Sequence, residues 1–426
     1  MHNGSNYTVL VVTWMGGGNV RPVLDTARGL ISRGHKVHVL SNPNMAPRVE
    51  ETGATFHAFK RIPSHDPASP STDVIRAYEG RNIGETNNII AERLLFGPAE
   101  ALCHDTLDLI DQVRPQALVI DYVLLGPMVA SEALGIPYLV TSDGMYPLPN
   151  PRLPRGSSTY SYLFERMVNR WLPLINQLRS SLRLEPIEQA AGLYSHAALF
   201  LVNTYAALAD GEPSSDVVYA GPQFDPAVLG PKILQRRRQK PSFVLGAFST
   251  IFTPQQSLFI ERLGHALSRL DVDAQIGTGS SCADEIGSPS PRIEIKPFIP
   301  LNDMLPQSRL LVNHAGNGTI VRAMAAGVPQ LCVPFLQDQH DYARRISELG
   351  IGLMLSKSAS VDEIEGAVAT LLGESRYLER AEEEQARIVR EHQDCKAARL
   401  VEGVIGRQHK RLAGDAALCG TAGNLL

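Results

Sequence analysis

One stretch decides the fold, "VNHAGNGTIVRAMAAGVPQLCVPFLQDQHDYARRISELGIG" at residues 312–352. An apolar strand is predicted to end at Asn313, small residues then form a tight turn, and a helix is predicted to begin at Thr319. The apolar run "PQLCVPF" predicts a further strand beyond that helix. A strand, a crossover helix and a second strand form the repeating unit of a parallel sheet.

The turn in this stretch has the chemistry of an anion site. Gly316 and Gly318 let a ligand approach the backbone, and the N–H groups and dipole at the start of the following helix favour negative charge. His314 and Thr319 add side-chain donors on either side. The turn lacks the lysine of a Walker loop, so it suits a diphosphate without being a P-loop.

The same alternation of apolar strands and periodic helices fills most of the chain. It extends over residues 1–221, stops in the proline-rich and basic segment 222–241, and resumes over 242–395 before a helical tail at 396–426. We therefore predict an α/β protein with two doubly wound parallel-sheet (Rossmann-like) domains that face each other across a cleft, joined by the linker 222–241.

Composition excludes several functional classes. A formal net charge of -4 offers no basic field for nucleic acid, and no apolar run approaches the roughly 20 residues that span a bilayer. The five cysteines are scattered, which is typical of a reducing compartment and argues against a thiolate zinc site. The polar N-terminus shows no signal peptide pattern, so we expect a cytoplasmic protein without stable membrane insertion.

The stretch at 312–352 resembles the donor-site signature of family 1 glycosyltransferases, the GT-B enzymes that use nucleotide sugars. The matching elements are His-x-Gly-x-Gly-Thr, "AAGVPQL", Pro334 and the pair Asp338–Gln339. Upstream, an aromatic–x–Pro element and "VLGAFST" also resemble family segments. The "GGGN" of the opening turn makes the chain similar to the bacterial natural-product members, of antibiotic or macrolide type.

The resemblance implies a donor site. His314 donates to one phosphate oxygen, Gly318 N–H and Thr319 bind the other phosphate, and Asp338 and Gln339 hold sugar hydroxyls. The remaining implied donor residues are those of the glycine turn, the strand end that faces the diphosphate, and the segment against the nucleobase: Gly316, Asn317, Ser249, Thr250, Phe298 and Ile299. Each motif has an alternative explanation, since Asp338–Gln339 and Thr319 also suit helix caps and His314 a satisfied strand end.

The catalytic base is the open question. The family's first strand ends in Gly-His-x-x-Pro, with the histidine as general base, but here Asn19 takes its place before Pro22. A carboxamide does not accept protons near neutral pH, so Asn19 is no ordinary base. Gly17 and Gly18 therefore belong to an acceptor-side loop and not to a phosphate cradle.

Three side chains could replace the missing base: Asp121 after a middle strand, Asp143 after the next strand, and His65 in a Pro/Ser-rich loop. Asp121 could instead only order its loop. A fourth explanation is an acceptor that needs little help, such as an acidic phenol or a nucleophilic aromatic carbon.

The expected reaction is an inverting, metal-independent transfer of a sugar from a dTDP- or UDP-sugar to a hydrophobic natural-product aglycone, with no cofactor beyond that co-substrate. The string "DVD" at residues 271–273 precedes a strand, so we interpret it as a turn and expect no metal site. Segments 60–100 and 144–175 are expected to line the acceptor pocket, or else to pack as core. The alternatives are a degenerate helper of another transferase and a sugar-nucleotide 2-epimerase, and a homodimer stays open.

Overall fold

The computed structural model describes residues 6–15, 20–62, 83–149, 158–209, 215–222, 242–249, 254–279, 286–392 and 394–422. Five of the predicted site residues lie outside these ranges: Gly17, Gly18, Asn19, His65 and Thr250. The predicted linker 222–241 lies outside them as well, apart from its first residue.

The first lobe is built on a parallel sheet of seven described strands in the order β3-β2-β1-β4-β5-β6-β7. Continuous apolar runs produce strands that are buried on both faces, as in Leu118 and Val119. The strands are β1 (Thr8–Val12), β2 (Lys36–Ser41), β3 (Thr55–Ala58), β4 (Ala117–Asp121), β5 (Tyr138–Ser142), β6 (Leu199–Val202) and β7 (Val217–Tyr219).

The second lobe repeats this design with six described strands in the order β10-β9-β8-β11-β12-β13, again all parallel. The strands are β8 (Ser242–Ala247), β9 (Val272–Gly277), β10 (Ile293–Lys296), β11 (Leu310–Asn313), β12 (Gln330–Cys332) and β13 (Gly352–Met354). The predicted fold class, two doubly wound parallel sheets, is confirmed.

Helices cover both faces of the sheets, as crossover connections require. In the described part of the first lobe they are α1 (Val20–Ser32), α2 (Ala46–Glu50), α3 (Ile83–Ile90), α4 (Ala99–Val113), α5 (Leu125–Ala133) and α6 (Thr159–Ser181), with a π-helical turn at Ala91–Leu95. The second lobe contributes α7 (Pro254–Ser268), α8 (Leu301–Met304), α9 (Asn317–Ala325), α10 (Gln337–Glu348), α11 (Val361–Gly373) and α12 (Ser375–Glu391), and α13 (Lys396–Ala422) ends the described chain.

The last helix returns to the first lobe. Its apolar face joins the core on one side of the first sheet, with Val401 and Ile405 packed in the same cluster as Val9 and Val39. Glu402 strengthens this docking by ion pairing to Arg33, with Nε and Oε1 2.7 Å apart. The tail predicted at 396–426 is therefore helical where it is described, and it completes the first lobe.

In both sheets the strand order reverses beside the first strand, between β1 and β4 and between β8 and β11. The carboxyl ends of strands at such a switch point are where doubly wound folds bind ligands. "DVD" lies at the opposite end: Asp271 precedes β9, and both Asp271 and Asp273 pair with Arg292. The string therefore lies at the amino end of the strand as predicted, but its interpretation as a turn is wrong for Val272 and Asp273, which are the first two residues of β9.

No helix among the described residues is long and apolar enough to span a membrane.

Candidate active site

A cavity of about 930 Å³ lies between the two lobes, at the carboxyl ends of both sheets. The first lobe contributes Arg21, Ile90, Leu95, Tyr122, Val123, Asp143, Gly144, Tyr160, Phe164 and Met167. The second lobe contributes Phe248, Ser249, residues 298–303, His314, residues 316–319, Arg322, Leu336, Asp338 and Gln339. Every predicted donor residue that the structure describes is in this set.

The glycine turn is held by the last residue of β11. The buried Asn313 side chain accepts from Ala315 N–H at 2.7 Å, and Ala315 sits at φ 62°, in the left-handed region. This bend lets the helix begin at Asn317, with Gly316 as its N-cap. The predicted start at Thr319 is therefore wrong by two residues, because the turn needs only residues 314–316 and the glycine at 318 is tolerated in the first helical turn.

His314 lies flat against this turn. A Cβ on Gly316 would come within 2.4 Å of His314 Nε2, so only glycine fits beneath the ring. Nδ1 is 3.3 Å from the Ala247 carbonyl oxygen, which can only accept, so Nδ1 carries the proton and Nε2 faces the helix start as an acceptor. Burial lowers the pKa of His314 to about 4, which keeps the ring neutral.

The first residues of α9 combine an anion site with a contact between lobes. Thr319 N–H and Ile320 N–H already donate to Gly316 O, each at 3.0 Å, whereas N–H groups earlier in a helix have no partner within the helix. Asn317 turns toward the first lobe instead. Its Nδ2 donates to Asp143 O, and its Oδ1 accepts from Thr204 Oγ1 at 2.8 Å.

The Asp338–Gln339 pair opens α10, as the helix-cap alternative predicted. Gln339 Oε1 accepts from Phe335 N–H at 2.8 Å and from Leu336 N–H at 3.0 Å, so its carbonyl oxygen caps the helix. Both side chains also line the cavity, so the capping and ligand-binding interpretations are compatible at Gln339. Burial raises the pKa of Asp338 above its usual range.

Two of the candidate bases are described, and the structure separates them. Asp143 follows β5 and lines the cavity; burial first, and then the charge of Asp338, raise its pKa to about 7. Asp121 ends β4 and is fully buried, with Oδ1 accepting from Val123 N–H at 3.4 Å, and it is not among the described residues that line the cavity. Asp143 thus has both the access and the pKa that a general base needs near neutral pH.

The far end of the cavity is suited to a flat ring. Phe298 is 76% exposed in the cleft, while its neighbour Ile299 is buried beneath β9, where its side chain closes over Gly277. Ser249 is held by Gln256, which the sequence analysis missed: Oε1 accepts from Ser249 N–H at 3.1 Å, and Nε2 donates to Ser249 O and Thr278 O. A buried glutamine one turn into a helix carries no sequence signal of this role.

The wall of the cavity in the first lobe is apolar and aromatic. α6 presents Tyr160, Phe164 and Met167 to the cavity, and Phe164 and Met167 also belong to the buried core cluster that contains Val168. The pocket and core explanations of segment 144–175 therefore both hold for one face of this helix. Segment 60–100 contributes Ile90 and Leu95. The sequence analysis missed the wall residues that follow β4, Tyr122 and Val123, and the two arginines of the cavity, Arg21 and Arg322.

Comparison with known proteins agrees with this geometry. Residues 262–397 match the family described as "Erythromycin biosynthesis protein CIII-like, C-terminal domain". The chain is 28% identical over 396 residues to 4'-demethylrebeccamycin synthase of Lentzea aerocolonigenes, covering 87% of this chain and 92% of that protein. It is 25% identical over 403 residues to demethyllactenocin mycarosyltransferase of Streptomyces fradiae, covering 91% of this chain and 84% of that protein.

The fold has solved counterparts of the same size. The calicheamicin glycosyltransferase CalG4 superposes with a TM-score of 0.75 at 20% identity, covering 95% of this chain and 99% of that structure. The chain is a glycosyltransferase of GT-B fold, and its relatives include enzymes of the antibiotic-biosynthesis type. In this glycosyltransferase the EryCIII-like part spans α9 and α10, the two helices whose first turns line the cavity.

Proposed function

We propose that this glycosyltransferase moves a sugar from a dTDP- or UDP-sugar to a hydrophobic natural-product aglycone, with inversion and without a metal ion. One observation carries the proposal. A single cavity joins an anion-binding helix start in the second lobe to an apolar, aromatic wall in the first lobe, and Asp143 lies between them. The donor and the acceptor would thus enter from different lobes.

The second lobe would hold the leaving group. The N–H groups of Asn317 and Gly318, the α9 dipole and the Thr319 hydroxyl converge where the diphosphate would bind. As the sugar–oxygen bond breaks, negative charge builds on the diphosphate, and groups fixed in advance stabilise it without rearrangement. These donors belong to the chain itself, so the proposed step needs neither a metal nor a cofactor.

The sugar would lie beside the two carboxyl groups. Asp338, in the second lobe, is placed to bind hydroxyl groups, and Asp143, in the first lobe, would take the proton of the attacking acceptor group. Because the base and the leaving-group site belong to opposite lobes, the acceptor would approach the face away from the diphosphate. This arrangement supports a single displacement with inversion.

The test is calorimetric titration with dTDP and UDP, followed by a screen of dTDP- and UDP-sugars against aromatic aglycones with mass-spectrometric detection. We expect micromolar nucleotide binding and a product heavier by one sugar, formed equally well with EDTA present. Conversion of the nucleotide sugar without an acceptor would indicate an epimerase instead. Nucleotide binding without any transfer would favour the helper alternative, and absence of nucleotide binding would overturn the proposal.

A further inference from the structure

Two arginines from different lobes line the same part of the cavity. Arg21 is the second residue of α1 and belongs to the first lobe. Arg322 lies in α9, one turn after the proposed diphosphate site, and belongs to the second lobe. The doubly wound topology brings them together, because α1 follows the first strand of one sheet and α9 begins at the matching switch point of the other.

Arg322 folds back along its own helix to the first turn of α9. Its Nη1 donates to Gly318 O, and a Cβ added to Gly318 would meet that nitrogen at 3.3 Å. The guanidinium therefore covers the turn whose N–H groups would bind the diphosphate. A ligand bound at these N–H groups would lie within reach of Arg322.

Arg21 and Arg322 repel each other across the cleft. Burial, and then the charge of Arg21, lower the pKa of Arg322, while Asp25 opposes that effect. Asp25 also accepts an ion pair from Arg28 and lies 4.0 Å from Arg21 Nε. Among the described residues, Asp25 thus interacts with the guanidinium groups of Arg21, Arg28 and Arg322. An anion with two or more charges, bound between Arg21 and Arg322, would relieve their repulsion.

We propose that Arg21 and Arg322 form a guanidinium pair, split between the lobes, that binds the diphosphate of the donor. The pair rests on the proposed function and adds to it that the first lobe takes part in donor binding. Charge-assisted hydrogen bonds from guanidinium groups are well matched to phosphate oxygens. They strengthen as charge builds on the departing diphosphate, so the pair serves catalysis as well as affinity.

The experiment compares Arg21→Gln and Arg21→Lys with the matched control Arg28→Gln. Arg28 lies on the same helix and contacts the same Asp25, but it is not among the described residues that line the cavity. Calorimetry measures the binding of dTDP, UDP and dTMP. We expect Arg21→Gln to weaken diphosphate binding about tenfold or more, Arg21→Lys to weaken it less, and Arg28→Gln to stay close to the parent protein.

Binding of the monophosphate dTMP shows which phosphate Arg21 contacts. Because dTMP lacks the β-phosphate, its affinity is expected to change little in Arg21→Gln. Two results for Arg21→Gln would overturn the pair: an equal loss of affinity for dTMP and dTDP, or unchanged dTDP binding with an unchanged melting temperature. Either result would leave the proposed function intact. If the parent protein binds none of the three nucleotides, the proposed function fails and the pair fails with it.

Discussion

At the scale of single residues, Asp143 is the position on which turnover should depend most. Asp143→Asn keeps the shape of the side chain but removes its ability to accept a proton, so we expect turnover to fall about 100-fold or more. The affinity for dTDP should change little, because Asp143 is not among the groups that are proposed to bind the diphosphate. Asp121→Asn is the matched control, since Asp121 ends the neighbouring strand and is buried. Near-parental turnover of Asp143→Asn would remove it from the mechanism.

The same residue predicts the pH dependence of turnover. A base works only when it is ionised, and burial together with Asp338 raises the pKa of Asp143 to about 7. The rate should therefore rise with pH up to about 7 and then level off. The residual rate of Asp143→Asn should not show this rise. Single-turnover rates between pH 5 and 9 check it. If the rate of Asp143→Asn rises with pH in the same way, the group that titrates is not Asp143.

His314 predicts that a proton is taken up when the nucleotide binds. The unliganded ring donates from Nδ1 to Ala247 O and has a pKa of about 4, so Nε2 can donate to a phosphate only after the ring is protonated. A bound anion raises that pKa. We expect dTDP binding at pH 7.5 to take up a proton and to weaken as the pH rises.

The measurement is the binding enthalpy of dTDP in buffers of different ionisation enthalpy. The His314→Gln variant is the control, because it cannot take up this proton but leaves the ionisation of dTDP unchanged. The same uptake in both proteins would contradict the role of His314.

The sequence predicted the cavity lining of the second lobe better than that of the first. His314, Gly318 and Asp338 belong to one continuous stretch whose spacing matches the family motif. The resemblance therefore predicted positions that do meet in one cavity. It ranked Asp121 first among the candidate bases, yet of the two candidates that the structure describes, Asp143 is the one that lines that cavity. Both follow middle strands of one sheet, and which of them reaches the ligand depends on the turn after each strand, which no local pattern encodes.

At the scale of secondary-structure elements, Asp341 predicts a coupling between the donor and acceptor walls. It lies on α10, which begins with the predicted sugar-binding pair, and its Oδ2 accepts from Ser158 Oγ at 2.8 Å and from Tyr160 N–H at 3.4 Å at the start of α6. Asp341→Ala should cost roughly 0.5–2 kcal/mol of stability, as the loss of a helix cap does. It should also raise the acceptor KM several-fold and leave dTDP affinity nearly unchanged.

Steady-state kinetics at a saturating donor concentration measure the effect of Asp341→Ala. Glu348→Gln, at the other end of α10, is the control, because it disturbs surface ion pairs that contribute little. An unchanged acceptor KM in Asp341→Ala would show that the contact between helices does not position the acceptor wall.

Element prediction succeeded where the chain is apolar and periodic. β1, β4 and β11 are continuous runs of buried aliphatic residues. The apolar runs at residues 7–12 and 117–122 predict β1 and β4 to within one residue, and β11 ends at Asn313 as predicted. The strands missed were β3 and β13, which are short and lie at the edges of their sheets. An edge strand buries less of its surface, so its sequence needs no long apolar run and resembles a loop.

At the scale of the whole molecule, the sequence predicted two sheets, a linker and a cleft, but not how the lobes pack against each other. Met145 and Leu208 of the first lobe pack into a core cluster of the second, beside Ile320 and Tyr342. The final helix crosses back to cover the first sheet. Both features bring together residues that are far apart in sequence. Such contacts depend on the complementary shapes of the folded surfaces, which the hydrophobic periodicity of the sequence does not predict.

The docking of α13 gives the last prediction. It buries Ala397, Ala398, Val401, Val404 and Ile405 against the first sheet. Full burial of an aliphatic side chain stabilises by about 1.5–3 kcal/mol, so losing this face removes a large part of the roughly 5–15 kcal/mol by which a domain is stable. A chain ending at residue 394 should therefore lose the cooperative unfolding of the first lobe in scanning calorimetry, while the second lobe still unfolds cooperatively.

The control chain ends at residue 411 and keeps all five of these contacts, together with the ion pair of Glu402 and Arg33. It should unfold like the full chain, because the described contacts that hold α13 to the sheet all precede residue 411. If the chain ending at 394 also unfolds like the full chain, then α13 only covers a lobe that is stable without it. Loss of stability in both shortened chains would place the decisive contacts after residue 411 and would contradict the assignment to Val401 and its neighbours.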